Sequence, residues 1–186
     1  WMEPRKRSTP LAIQPSRSVV YPVPKGVVLI VAPWNYPFNL LLAPLIGAMA
    51  AGNTVVLKPS EDAPATAQAV DDMLTDTFDR AYIEVVQGLG HEVVPALIEG
   101  FEFNHIFFTG SPAVGKKIAK MAAEHLTSTT LELGGKSPAI VDRTADLMVA
   151  ARRLAWGKFT NAGQTCVSPD YLLVEESVKE PLVDEL

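Results

Sequence analysis

Short runs of β-branched and other apolar residues alternate along this chain with longer stretches whose apolar side chains recur every three or four positions. Residues 27–31, 54–57, 83–86 and 105–108 have the length and composition of buried strands. Leu41, Leu45, Ala48 and Met49 fall on one helical face. Residues 64–78 and 92–98 read as two further helices, and Val114, Ile118, Met121 and Ala122 mark the apolar side of another. Strands are expected again at 129–133, 139–141 and 171–174, with a helix at 145–156 and another under way where the chain stops at Leu186. Lys58-Pro59 closes the second strand, because proline cannot continue a central ladder.

Strands that alternate with helices imply βαβ units and a parallel sheet covered on both faces. The expected fold is therefore α/β: a doubly wound, Rossmann-like parallel sheet of about five strands, with a second α/β domain starting near Gly135. In such sheets ligands lie beyond the carboxyl ends of the strands. That rule selects Pro33 to Asn35, Lys58 to Glu61, Gly88 to Gly90, Thr109 to Gly115 and Glu132 to Gly135.

Composition narrows the classes. With 186 residues, 48% hydrophobic and 20% charged, the chain can bury a core without disulfides or metal. A net charge of −5 and the absence of a basic stripe argue against a nucleic-acid partner. No signal peptide is visible, and Pro33, Asn35, Pro37, Asn39 and Pro44 interrupt the apolar stretch 27–51, which argues against a transmembrane helix. His91, His105 and His125 lack metal-ligand spacing and Cys166 is the single cysteine, so no metal site is expected. One cysteine fits a reducing compartment. The chain begins at Trp1 rather than Met and reads as a piece of something longer.

Five segments could carry chemistry. Cys166 ends the run Phe159-Thr-Asn-Ala-Gly-Gln-Thr-Cys166, a polar turn that would present a thiol rather than pack it. Phe108-Thr109-Gly110-Ser111 with Gly115 joins a strand to a helix. Ser111 is a good N-cap and Pro112 suits the first turn, so the helix start favours a phosphate. A P-loop also fits Gly110 to Lys116, but Lys117 stands where that motif needs Ser or Thr, and the full dinucleotide G-x-G-x-x-G is missing. Ordinary glycines in a βα turn would look the same. Lys58 and Glu61 at a strand end could hold ribose hydroxyls, or could be an exposed lysine and a helix-leading glutamate. Asn35, between two prolines and three aromatics, could be a fixed hydrogen-bond donor to an oxyanion. Glu132, in an apolar strand before Gly134 and Gly135, could be a base raised by burial, or could pair with a nearby lysine.

In register, these motifs resemble the aldehyde dehydrogenase family: Pro33-Trp-Asn-Tyr-Pro37, Lys58-Pro-Ser-Glu61, Phe108-Thr-Gly-Ser111 with Gly115, Leu131-Glu-Leu-Gly-Gly-Lys136 and Asn161-x-Gly-Gln-x-Cys166. Ser168-Pro-Asp-Tyr171 is more similar to the class 3, fatty-aldehyde branch. The resemblance implies an EC 1.2.1-type oxidoreductase that converts an aliphatic, fatty or aromatic aldehyde to the acid through a cysteine thiohemiacetal and thioester. It implies Cys166 as nucleophile, Glu132 as general base, and Asn35 with the Cys166 N–H as oxyanion donors. Lys58 and Glu61 would hold the adenosine ribose. Gly110, Ser111 and Gly115 would line the pyrophosphate region together with Gly90 and Thr109, and Pro33, Trp34, Leu133 and Gly134 would flank the cofactor, NAD or NADP. The implied layout is an arm at 1–24 that serves as an oligomerisation hairpin, an NAD(P)-binding domain at 25–134 and a truncated catalytic domain at 135–186. It further implies a cytoplasmic homodimer in the longer parent, membrane-bound only through a C-terminal tail outside this chain. The alternative is a nucleotide-binding piece that does not catalyse.

Overall fold

A computed structural model describes residues 2–186. The chain forms two compact units, one running to Glu132 and the other Leu133–Leu186.

The first unit opens with a small antiparallel pair, β1 (Arg5–Arg7) and β2 (Ser18–Val20). Both strands fall within residues 1–24, the stretch expected to form an arm. Then follow β3 (Val27–Val31), α1 (Asn39–Ala50), β4 (Thr54–Lys58), α2 (Pro64–Thr77), β5 (Ile83–Val85), α3 (Gly90–Gly100), β6 (His105–Gly110), α4 (Pro112–Glu124) and β7 (Ser128–Leu133). The helix α1 continues through Pro44; the lost backbone bond is outweighed by the burial of Leu41 and Leu45, which flank it in sequence. The helix α3 is longer than expected, beginning at Gly90 rather than Glu92.

Strands β3 to β7 form one sheet in the order β5-β4-β3-β6-β7. The chain winds outward from β3 through β4 to β5, then returns to the other side of β3 through β6 to β7. This is the expected doubly wound sheet, and its strand order reverses between β3 and β6. Side chains alternate across β3. Val28 and Ile30 join Leu41, Leu45, Val70 and Leu74 beneath α1 and α2, while Leu29 and Val31 join Val94, Ile98, Ile118 and Ala122 beneath α3 and α4. Both faces are therefore buried, which is why the strands read as nearly unbroken apolar runs.

The second unit contains β8 (Ser137–Val141), α5 (Leu147–Phe159), β9 (Pro169–Val174) and α6 (Lys179–Glu185). Strands β8 and β9 pair in parallel, and Val141, Ala151 and Leu182 make a small core. Asp146 caps α5 by accepting the Val149 N–H at 3.1 Å. Among the described residues, no helix is long and apolar enough to cross a membrane.

Candidate functional site

Register decides what meets at the carboxyl edge of the large sheet. Val31 is level with Lys58 of β4 on one side and with Phe108 of β6 on the other. The turns that follow these three residues therefore leave the sheet at one height, at the point where the strand order reverses. A cleft of about 540 Å³ opens there, lined by Pro33, Trp34, Lys58, Glu61, Thr109 and Ser111 among others. Gly90 and Gly110 also border it. Eight of the positions predicted for a cofactor thus share one wall system.

Lys58 is not the exposed lysine that was one reading of it. It is 1% exposed, and its ammonium donates to the Pro59 carbonyl at 2.7 Å and to Glu61 Oε2 at 3.0 Å. Nor does Glu61 lead a helix, since α2 starts only at Pro64. Its other oxygen accepts the Gly90 N–H at 2.7 Å, at the first residue of α3. A carboxylate there meets the positive end of the helix dipole and satisfies an amide that no neighbouring side chain caps. Partial burial alone would raise the Glu61 pKa, but the Gly90 N–H, its own N–H and the Lys58 ammonium together hold it down at about 2. A Cβ on Gly90 would stand 3.2 Å from Glu61 Oε1, so glycine leaves room for this contact.

Ser111 caps α4, its hydroxyl accepting the Val114 N–H at 3.3 Å, and the helix start opens on the cleft. Gly115 is buried within α4 and does not line the cleft. The glycine that is sterically required is Gly110: a Cβ there would lie 2.5 Å from the ring of Phe108.

Motif reasoning missed the inner wall. It consists of His91, Val94 and Pro95 of α3 facing Val114, Lys117, Ile118 and Met121 of α4. Both sets recur at three- and four-residue steps, the spacing of a single helix face. The same periodicity that marked Val114, Ile118 and Met121 as core could have marked a ligand slot. A largely apolar cleft of this size, with a buried ammonium, an ionised carboxylate and a helix N-terminus at its mouth, can hold a nucleotide.

Asn35 sits in the turn between β3 and α1 and is half-buried; the next residue, Tyr36, is left-handed at φ 51°. Glu132 lies at the carboxyl end of β7, two strands from β3, or about 10 Å across the sheet at the usual strand spacing. The burial expected of Glu132 is not found: the residue is exposed. The lysine pairing suggested as its alternative is not found either, because Lys136 bonds Asp170 at 2.6 Å.

Cys166, Leu133 and Gly134 belong to the second unit and are exposed. The loop that carries the thiol is strongly shaped. Asn161, Ala162 and Gly163 are all left-handed, with φ of 53°, 56° and 75°. Gln164 N–H donates to the Asn161 carbonyl at 3.1 Å, and the buried Ser168 hydroxyl reaches back 3.4 Å to the Gly157 and Lys158 carbonyls of α5. A run of left-handed residues in a polar loop is the kind of strain that collects at functional positions.

Comparison with known proteins gives a consistent picture. The family model described as "Aldehyde dehydrogenase family" matches residues 2–186. The 4,4'-diaponeurosporen-aldehyde dehydrogenase of Staphylococcus aureus is 52% identical over the whole chain, which spans 40% of that protein. The dimeric NADP-preferring aldehyde dehydrogenase of Mus musculus is 46% identical, with 41% of its length covered. Among solved structures, a substrate-bound Staphylococcus aureus AldH superposes over the whole chain with a TM-score of 0.94 at 51% identity, and 40% of it is covered. An NADP-dependent enzyme of E. coli gives 0.90 at 31% identity, with 38% covered. The chain thus spans about 40% of the length of the curated relatives it matches.

Proposed function

The chain belongs to the aldehyde dehydrogenase family, and from that premise we propose that it supplies the nucleotide-binding domain and the first part of the catalytic domain of an NAD(P)-dependent enzyme oxidising an aldehyde to its carboxylic acid. The observation that carries this reading is the cleft at the β3–β6 reversal, where Trp34, Lys58, Glu61, Gly90 and Ser111 converge. In this reading Lys58 and Glu61 hold the adenosine ribose, and the start of α4 faces the pyrophosphate.

The bound nicotinamide would supply the hydride acceptor. The chain's own groups do the rest. The Cys166 thiolate adds to the aldehyde carbon, and the Asn35 amide with the Cys166 N–H holds the oxyanion of the thiohemiacetal. Each such donor is worth about 10² to 10³ in rate. Once the hydride has left, Cys166 carries the acyl group as a thioester, and Glu132 takes a proton from the water that releases the carboxylate. A base at that position favours hydrolysis over transfer to coenzyme A. An aliphatic, fatty or aromatic aldehyde suits the class 3 resemblance of Ser168 to Tyr171, and the parent works as a cytoplasmic homodimer.

The test is NADH formation from hexanal or a longer aldehyde by a family-length protein that carries this chain. Cys166→Ala should abolish it, and unchanged turnover would remove the proposal. A second reading applies to the 186 residues alone: nucleotide binding without oxidation. It is favoured by the exposure of both Cys166 and Glu132 in this chain. Its signature is heat of NAD binding by calorimetry with no NADH produced.

A further inference from the structure

The residue that spoils a P-loop reading is also the residue best placed to act on the cofactor's charge. Lys117 lines the same cleft as Lys58 and Glu61, on the wall that α4 presents to α3. The charges of Lys58 and Glu61 are already spent on each other at 3.0 Å, and the Lys58 ammonium is also committed to the Pro59 carbonyl. Lys117 differs from both. Among the described residues its ammonium makes no ion pair and no side-chain hydrogen bond. The fourth titratable group on the cleft, His91, leans 3.8 Å toward Glu92 on its own helix. Summed over its lining, the cleft therefore keeps one uncompensated positive charge, and Lys117 carries it.

A carboxylate at the ribose ordinarily selects NAD, because the 2′-phosphate of NADP would meet its negative charge. Glu61 is held ionised here by Gly90 and Lys58, so its oxygens still repel a 2′-phosphate at short range although the ion pair is neutral overall. An ammonium on the facing wall opposes that repulsion. A flexible four-carbon stem with a point charge suits a phosphate whose position need not be fixed by a fork of donors.

We propose that Lys117 is a specificity-determining residue of this chain, giving the adenosine end of the cleft the capacity to accept a 2′-phosphorylated ribose, and so NADP beside NAD. The inference rests on the dinucleotide reading of the cleft and adds the residue that sets its phosphate tolerance.

The experiment uses the 186-residue chain and two probes, 5′-AMP and 2′,5′-ADP, titrated by calorimetry into the wild type, Lys117→Met and Lys117→Arg. Circular dichroism melts confirm that each variant folds. The expected result is that Lys117→Met lowers the ratio of 2′,5′-ADP to 5′-AMP affinity about tenfold at low salt, as loss of a facing charge should. Lys117→Arg should restore most of that ratio, and the difference should shrink near 0.5 M salt as screening sets in. An unchanged ratio in Lys117→Met overturns the role of Lys117 while leaving the cleft intact. If the wild type binds neither probe, the nucleotide reading of the cleft falls, and this inference falls with it.

Discussion

Glu61 and Gly90 lie 29 positions apart, and a 2.7 Å hydrogen bond from the glycine amide to the carboxylate joins them. That bond fixes the turn after β4 to the first residue of α3, two separate parts of the cleft rim. The same carboxylate is the counter-ion of a buried lysine. Glu61→Gln keeps the shape and removes the charge. It should cost about 1–2 kcal/mol in urea unfolding at neutral pH, a figure reduced for solvent because the side chain is 34% exposed.

The pH dependence of the same pair follows from its direction. The folded carboxyl titrates at about 2 against an ordinary value of 4.5. Its stabilisation is complete above 4.5 and is lost as pH falls from there toward 2. Urea midpoints taken across that window should fall less steeply in Glu61→Gln than in the wild type. Parallel curves would show that the pair contributes nothing.

Gly110→Ala places a methyl 2.5 Å from the Phe108 ring, which is 4% exposed and packed beneath α3 and α4. The ring must shift to admit the methyl, and its packing beneath α3 and α4 resists that shift. The expected loss is about 1–3 kcal/mol. Combining it with Phe108→Leu should recover part of that loss, and a double-mutant cycle measures how much. Strict additivity would mean that the two side chains do not collide.

Ala162 holds a left-handed conformation at φ 56°, which costs a residue with a Cβ about 1 kcal/mol or more. Ala162→Gly should raise stability by about 0.5 kcal/mol, the relief of strain exceeding the added freedom of the unfolded chain. The urea midpoint should move up. A lower midpoint would mean that the Ala162 methyl contributes packing larger than its strain.

His105 lies between two hydroxyls, with Ser128 Oγ at 2.8 Å from Nδ1 and Thr130 Oγ1 at 3.0 Å from Nε2. Partial burial, and then the charge of Lys25, whose ammonium donates to Ser128 Oγ at 3.0 Å, hold its pKa below the ordinary 6.5 despite a hydrogen bond to Ser128. The unfolded chain therefore takes up the proton first, and stability falls as pH drops below 6.5. Lys25→Met should move the imidazole titration upward, read from its ring proton resonances by NMR. A midpoint that stays put would leave burial as the whole cause.

Much of the first unit could be read in the sequence because period and composition are local properties. Val27 to Val31 is apolar throughout and becomes a strand buried on both faces. Ser111 followed by Pro112 starts α4 as cap chemistry requires. The ends were harder. Gly90 looks like a breaker but opens α3, because the group that satisfies its amide is the distant Glu61 rather than a neighbour. β6 extends to Gly110, where the missing Cβ makes room for the ring of Phe108 two residues earlier.

The sequence by itself determined the element types, the βαβ order and the motifs that identify the family, since each is written in spacing along the chain. Tertiary structure alone decided that Val31, Lys58 and Phe108 stand level, that Lys58 is buried, and that the exposed Lys117 borders the same cleft. It also decided that Glu132 is exposed here. The reason is physical: strand neighbours, register and burial come from contacts between segments far apart in the chain, and no local pattern of residues specifies them.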